Sequence, residues 1–146
     1  MIPPKSKPKP AADVPAAIVA IVDRRDGGSD RFDGRGIGAG RNLHHRQLRS
    51  QGPLHTPSNL VTMRGSGTTG THGHMHHNRA YAQRYGFIIP SYIEDTTTVP
   101  IRVANRWGLK GWATFDDDGQ EHPLAPGDVV TIMRDLGLWA PLENWL

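Results

Sequence analysis

Histidine is the residue type that most clearly indicates chemistry in this chain of 146 residues. Seven of the eight histidines lie between residues 41 and 90: His44, His45, His55, His72, His74, His76 and His77. Neutral imidazole is a common metal ligand, and its unperturbed pKa of about 6.5 lets it accept a proton near neutral pH. The chain has no cysteine, which excludes disulfides, thiolate nucleophiles and Cys-ligated zinc. A metal site would have to use histidine, carboxylate or backbone oxygen.

Two of these histidines are spaced to share one face of a helix. His72 and His76 are four residues apart in a segment that is predicted to be helical from about residue 72 to 85. Both imidazoles can therefore reach a single ion, whereas His74 points elsewhere. The pair His74 and His77, three residues apart, is also allowed by helix geometry, so spacing alone leaves the choice open.

Two adjacent histidines offer a further ligand from a different element. His44 and His45 fall in a short predicted strand at 43–48, where successive side chains point to opposite faces. One of them can therefore bind metal while the other does acid–base work. Asn59 begins a second predicted strand at 59–63 and cannot titrate. Its amide can bridge backbone groups across the loop and so fix where the strand's histidine points.

The segment that holds these histidines has no acidic residue. Residues 41–90 contain six arginines and no Asp or Glu, whereas residues 91–146 contain four basic and nine acidic residues. A basic, histidine-rich segment favours contact with nucleic-acid phosphates and metal-assisted phosphodiester chemistry. Three arginines beside the histidines are candidate phosphate contacts: Arg46, Arg49 and Arg79.

The remaining composition indicates one domain with many loops and a modest core, because 17 residues are glycine and 12 are proline. No stretch is apolar enough for a membrane span or a secretory signal, so we expect a soluble, cytoplasmic protein without membrane contact. Residues 1–12, rich in Lys and Pro, are predicted to be a disordered tail. Further elements are predicted as a helix at 15–25, strands at 99–103 and 111–115 with a turn at 116–119, and a helix at 126–136.

Three short segments resemble the HNH nuclease motif. They are His44-His45-Arg46, Ser58-Asn59-Leu60-Val61 and Thr71-His72-Gly73-His74-Met75-His76. Residues 24–119 as a whole resemble HNH endonucleases encoded by actinobacterial phages. The resemblance implies an α+β fold with a small ββα-metal core at about 42–86 inside a nuclease domain at 13–90. An N-terminal helix would precede this core, and a C-terminal β-hairpin plus short helix at 91–146 would pack on the same domain.

The resemblance also implies roles for these residues. His45 would be the general base that activates water, Asn59 would orient this base, and one divalent ion would be held by His44, His72 and His76. Mg²⁺, Mn²⁺, Ni²⁺ and Zn²⁺ are not distinguished by such ligands. The implied reaction is hydrolysis of phosphodiester bonds in double-stranded DNA, and the implied partner is a phage terminase large subunit during genome packaging. The alternative is a catalytically weak DNA-binding or packaging-assembly module that keeps the histidine–metal site.

The chain departs from many members of that family at four positions. Those proteins carry two cysteine pairs that bind a structural zinc, and the corresponding positions here hold Asp30, Asp33, Arg64 and Thr71. No Cys-ligated zinc is therefore expected. We predict instead that Arg64 pairs with Asp30 or Asp33 as an exposed substitute, which would contribute about 0–1 kcal/mol.

Overall fold

The computed structural model describes residues 13–38, 40–48, 54–65 and 69–138, so the predicted tail at 1–12 lies outside the described residues. Within these ranges the chain has the predicted α+β fold, with two small antiparallel sheets and four α-helices. The elements are α1 (Ala16–Asp26), β1 (Arg41–His45), β2 (Leu60–Arg64), α2 (Gly70–His77), α3 (Arg79–Arg84), β3 (Ile101–Ala104), β4 (Lys110–Phe115), β5 (Glu121–Leu124) and α4 (Pro126–Asp135). Two short 3-10 turns lie at Pro57–Asn59 and Thr96–Thr98.

Strands β1 and β2 form an antiparallel ribbon, and α2 packs against β2. His44 lies opposite Val61, and His45 lies opposite Leu60. The chain turns from β2 into α2 through Gly65 and Gly70, both with positive φ, where an added Cβ would overlap nearby backbone atoms. This ribbon followed by a helix carries the histidines.

The predicted helix at 72–85 is interrupted. Helix α2 ends at His77 and α3 begins at Arg79, with Asn78 between them in a non-helical conformation. The Asn78 Nδ2 group donates a hydrogen bond of 2.9 Å to the His74 carbonyl. Asn side chains compete in this way with the backbone hydrogen bonds of a helix, which gives a physical reason for the break.

The C-terminal region has one strand more than the predicted hairpin. Strands β3 and β4 pair as predicted, and the turn after β4 brings β5 back along β4, with Phe115 opposite Glu121. The prediction missed β5 because its four residues include Pro123 and carry no alternating apolar pattern. Pro is tolerated there because β5 is an edge strand.

Two apolar clusters hold these layers together. The first joins β2, α2 and α3 to the second sheet and contains Val61, Met63, Met75, Ala82, Phe87, Ile88, Ile101, Val103, Ala113 and Phe115. The second lies between α4 and the second sheet and contains Ile89, Ile93, Val99, Trp112, Val129, Met133 and Leu138. Helix α1 contributes less than its pattern predicts, because Val22 is buried while Ile18, Val19 and Ile21 are only half-buried.

The guanidinium of Arg46 is fully buried, so the prediction that this residue contacts DNA phosphates is wrong. Its nitrogens donate to the carbonyls of Gly86 at 2.8 Å, Ser58 at 2.9 Å and Val99 at 2.8 Å. Burial, and then the nearby charge of Arg25, lower the pKa of Arg46 to about 9. Arg46 is therefore a structural residue that ties together three separate segments of the chain.

The predicted pairing of Arg64 with the two aspartates is confirmed, although the cluster is not exposed. The Arg64 side chain forms ion pairs with both Asp30 and Asp33, and its backbone N donates to Asp30 Oδ2 at 2.8 Å. The Thr71 hydroxyl donates to the same Asp30 oxygen. Because Asp30 is fully buried, this cluster ties the loop after α1 to the turn before α2.

We predict that Arg46→Met lowers the free energy of unfolding by about 3–5 kcal/mol, because the buried carbonyls then lose their donors. Urea unfolding of the metal-free protein measures this change. Arg24→Met on the exposed side of α1 is the matched control, with an expected change within about 0.5 kcal/mol. Equal losses in the two variants would contradict a structural role for Arg46.

Candidate metal centre

Three histidines from two elements converge on one point. His44 from β1 and His72 and His76 from α2 each offer a ring nitrogen, and these nitrogens lie within 4.8 Å of one another. The Nε2 atoms of His72 and His76 are 3.0 Å apart. Two nitrogens that bind one tetrahedral ion are about 3.4 Å apart at ordinary bond lengths, so only small movements would bring both into coordination. The structure thus brings together the three histidines that were predicted to bind metal.

The hydrogen bonds of His44 leave one of its nitrogens available to a metal. Its Nε2 lies 2.5 Å from the Phe87 carbonyl, which can only accept, so Nε2 carries the proton. Its Nδ1 then bears a lone pair, and this buried atom has no hydrogen-bond partner among the described residues. An imidazole held by a backbone carbonyl is the usual arrangement of a metal-binding histidine. The donor set therefore fits a divalent cation.

The three rings are held in the neutral form that binds metals. Burial, partly opposed by the hydrogen bond to Phe87, lowers the pKa of His44 to about 3. Burial and the neighbouring His76 lower the pKa of His72 to about 4. The pKa of His76 is also lowered, first by burial and then by the charge of Arg79. At neutral pH no proton has to be displaced from these ligands.

The remaining candidates lie around the same pocket or support it. The pocket has a volume of about 270 Å³ and is lined by Asn42, Leu43, His45, Leu48, His72, His76 and Arg79. His45, the predicted base, therefore opens into the same space as two of the predicted ligands. Arg79 is exposed at this pocket, whereas Arg49 lies outside the described residues. His74 and His77 are exposed outside the convergent group, and His74 packs against Phe32.

Asn59 bridges the two ends of the loop that follows β1. Its Oδ1 accepts from the backbone N of Gln47 at 2.7 Å, and its Nδ2 donates to the carbonyl of Leu54 at 3.0 Å. Its own carbonyl accepts from the backbone N of Arg46 at 2.8 Å. These bonds fix the backbone directly after His45, as expected of an amide that bridges backbone groups.

One residue at the site was missed by the sequence analysis. His55 Nδ1 lies 3.1 Å from His45 Nε2, with the two ring centroids 5.2 Å apart. No spacing rule connects two histidines ten residues apart in irregular structure. Their contact depends on the loop closure by Asn59, which holds Leu54 directly before His55.

The chain has no match among protein-family models, curated proteins or solved structures. Within the described residues, none of the helices has the length and apolar character that crossing a membrane requires. The chemistry of the site itself must therefore support any functional assignment.

We predict that acid destabilises the metal-free protein between about pH 6.5 and pH 4. The pKa values of His44 and His72 are lowered in the folded state, so the unfolded chain binds more protons in this range. His44 then removes up to about 1.4 kcal/mol of stability per pH unit as the pH falls, and His72, which lines the open pocket, removes less because solvent screens it. Urea unfolding at a series of pH values measures the slope.

The variant His44→Gln tests this assignment. The Gln amide can still donate to the Phe87 carbonyl but does not titrate, so the slope should fall by about 1.4 kcal/mol per pH unit, the contribution of one group. His77→Gln, at an exposed position on the same helix as His72, is the control and should keep the full slope. If the slope is unchanged in His44→Gln, the burial of His44 does not contribute to the pH dependence of the free energy of unfolding.

Proposed function

We propose that this protein is a divalent-metal-dependent endonuclease that hydrolyses phosphodiester bonds in double-stranded DNA. The observation that carries the proposal is the convergence of three neutral histidines beside a pocket into which a fourth histidine opens. Three ligands leave coordination positions open, which is typical of catalytic rather than structural metal sites. The resemblance of the same residues to the HNH motif supports the same reaction.

In this proposal His45 acts as the general base. A water molecule in the pocket loses a proton to the His45 imidazole as its oxygen forms a bond to phosphorus. The bond from phosphorus to the 3′ oxygen breaks, and this oxygen takes a proton from solvent, which leaves a 5′-phosphate and a 3′-hydroxyl. A divalent ion bound by His44, His72 and His76 would supply positive charge where negative charge develops on the phosphate. Asn59 acts indirectly, because it holds the backbone next to His45.

The surroundings of the pocket support a polyanionic substrate. Arg79 is exposed at the pocket and lies close enough to His76 to affect its pKa. The segment 41–90 contains no carboxylate that would repel phosphates. On the resemblance of residues 24–119 we extend the proposal to phage genome packaging, with a terminase large subunit as the partner.

Plasmid cleavage tests the endonuclease proposal. We expect the wild-type protein to cleave plasmid DNA with at least one of Mg²⁺, Mn²⁺, Ni²⁺ or Zn²⁺. The variant His45→Ala should lower the rate by about 10²–10⁴-fold, the contribution usual for a general base, while metal binding by calorimetry is retained. His44→Ala should lose both metal binding and cleavage.

Two other results would count against the proposal. DNA binding without cleavage under any of the four metals would favour the DNA-binding or packaging-assembly module. Full activity of His45→Ala would show that His45 is not the general base. His77→Ala on the exposed side of α2 is the control and should cleave like the wild type.

We also predict that His55 positions the base. His55→Leu removes the contact with His45 Nε2 and should lower kcat by about 10-fold or more, with KM and metal affinity unchanged. His55→Asn keeps a polar atom close to the position of Nδ1 and should restore part of kcat. Equal kcat values for the wild type and His55→Leu would show that the contact has no role in catalysis.

A further inference from the structure

The turn between β3 and β4 exposes two large apolar side chains. Trp107 is 74% exposed and Leu109 is 69% exposed, and among the described residues only Tyr92, at 63%, is a comparably exposed large hydrophobic residue. Neither Trp107 nor Leu109 contributes to the two apolar clusters. Exposed apolar groups that a fold does not use often mark an interaction surface.

Hydrogen bonds hold this turn in a defined conformation. Asn105 Oδ1 accepts from the backbone N of Trp107 at 2.9 Å and from that of Leu109 at 3.1 Å. The base of the turn is tied to the loop after α1, because Ala104 N donates to the Arg31 carbonyl at 2.7 Å and Arg31 Nε donates to the Ala104 carbonyl at 3.0 Å. A preorganised surface loses little conformational entropy when a partner binds.

The charges around the turn favour a polyanion. Residues 101–115 contain three cations and no carboxylate. Each cation lies over an aromatic ring: Arg106 over Trp107 at 4.9 Å, Lys110 over Phe32 at 4.3 Å and Arg102 over Tyr85 at 5.4 Å.

Two acidic groups beside the hairpin, Glu121 and Asp33, already have cationic partners. Glu121 forms an ion pair of 2.8 Å with Arg31. Asp33, which is close enough to Lys110 to affect its pKa, is held by Arg64. An apolar protein partner would leave the three cations of the hairpin facing it without compensation, whereas phosphates would compensate them.

We propose that the β3–β4 hairpin is a second contact for duplex DNA, in which Arg102, Arg106 and Lys110 bind phosphates while Trp107 and Leu109 pack against sugars and base edges. Proteins that bind the minor groove combine cationic side chains with apolar side chains, which they insert between base steps. This inference rests on the proposed function, since it assigns a further part of the same substrate to a surface away from the pocket.

Aromatic contacts place the base of the hairpin beside α2. The Phe32 ring under Lys110 also packs against His74, with the two ring centroids 5.9 Å apart. His74 belongs to α2, which carries two of the predicted metal ligands. The hairpin and the pocket therefore adjoin the same helix, and contact of one duplex with both is part of the proposal.

Fluorescence anisotropy with a labelled duplex of about 30 base pairs tests the inference, using the full chain with a chelator so that no cleavage occurs. The variants are Trp107→Ala, Leu109→Gln and the double variant Arg106→Gln/Lys110→Gln. We expect the first two to raise Kd by about fivefold or more. The double variant should lower the slope of log K against log salt by about 2. Tyr92→Ala and Arg134→Gln, exposed residues elsewhere, are the controls and should stay within about twofold of wild type.

The inference is overturned if all three hairpin variants bind the duplex within about twofold of wild type. It is also overturned if Trp107→Ala dissolves a dimer seen by size-exclusion chromatography without changing DNA affinity, since the hairpin would then join two copies of the chain.

Plasmid cleavage, measured in parallel, separates the two proposals. A wild type that never cleaves, but whose hairpin variants bind DNA weakly, contradicts only the endonuclease proposal. A wild type that cleaves while the hairpin variants bind normally contradicts only the hairpin contact.

Discussion

The buried guanidinium of Arg46 is the interaction on which the rest of the structure depends. Transfer of a cation from water to a protein interior is costly unless all its donors are satisfied. Among the residues that the structure describes, no carboxylate forms an ion pair with Arg46. Backbone carbonyls from three segments accept its hydrogen bonds: Ser58 before β2, Gly86 after α3 and Val99 before β3. Only an arrangement that brings these segments together satisfies the charge, so Arg46 favours one packing of the two sheets over others.

The residues that contact Arg46 are neighbours in sequence of the residues that hold the candidate metal centre. The carbonyl of Gly86 binds Arg46, and the next carbonyl, that of Phe87, accepts from His44 Nε2. The backbone of Arg46 also pairs with Asn59, whose side chain closes the loop after His45. One buried cation therefore lies next to the groups that orient a predicted ligand and the predicted base. Arg46 thus helps to position these groups and, being fully buried, is not available at the surface.

A second buried network holds the other end of the ribbon. Asp30 accepts hydrogen bonds from the backbone of Arg64 and from the hydroxyl of Thr71, and Arg64 reaches on to Asp33. At these four positions the sequence predicts a substitute for a structural zinc. A buried carboxylate with several donors can join the same two loops without a metal, because its charge is satisfied within the protein. The only metal required by the proposed function is therefore the one at the histidines.

The sequence by itself determined the features that depend on local spacing. Helix geometry put His72 and His76 on one face, and strand alternation separated His44 from His45. The pairing of Arg64 with the aspartates was predicted from the resemblance to HNH nucleases and not from local spacing. Tertiary structure decided what depends on distant segments: the burial of Arg46, the contact of His55 with His45, and the addition of β5 to a predicted hairpin. The periodicity of helices and strands can be read from neighbouring residues. The environment of a side chain depends on distant parts of the chain that come close only on folding. Arg46 was predicted to contact phosphates because it lies in a basic segment. Only the folded structure shows that backbone carbonyls surround it.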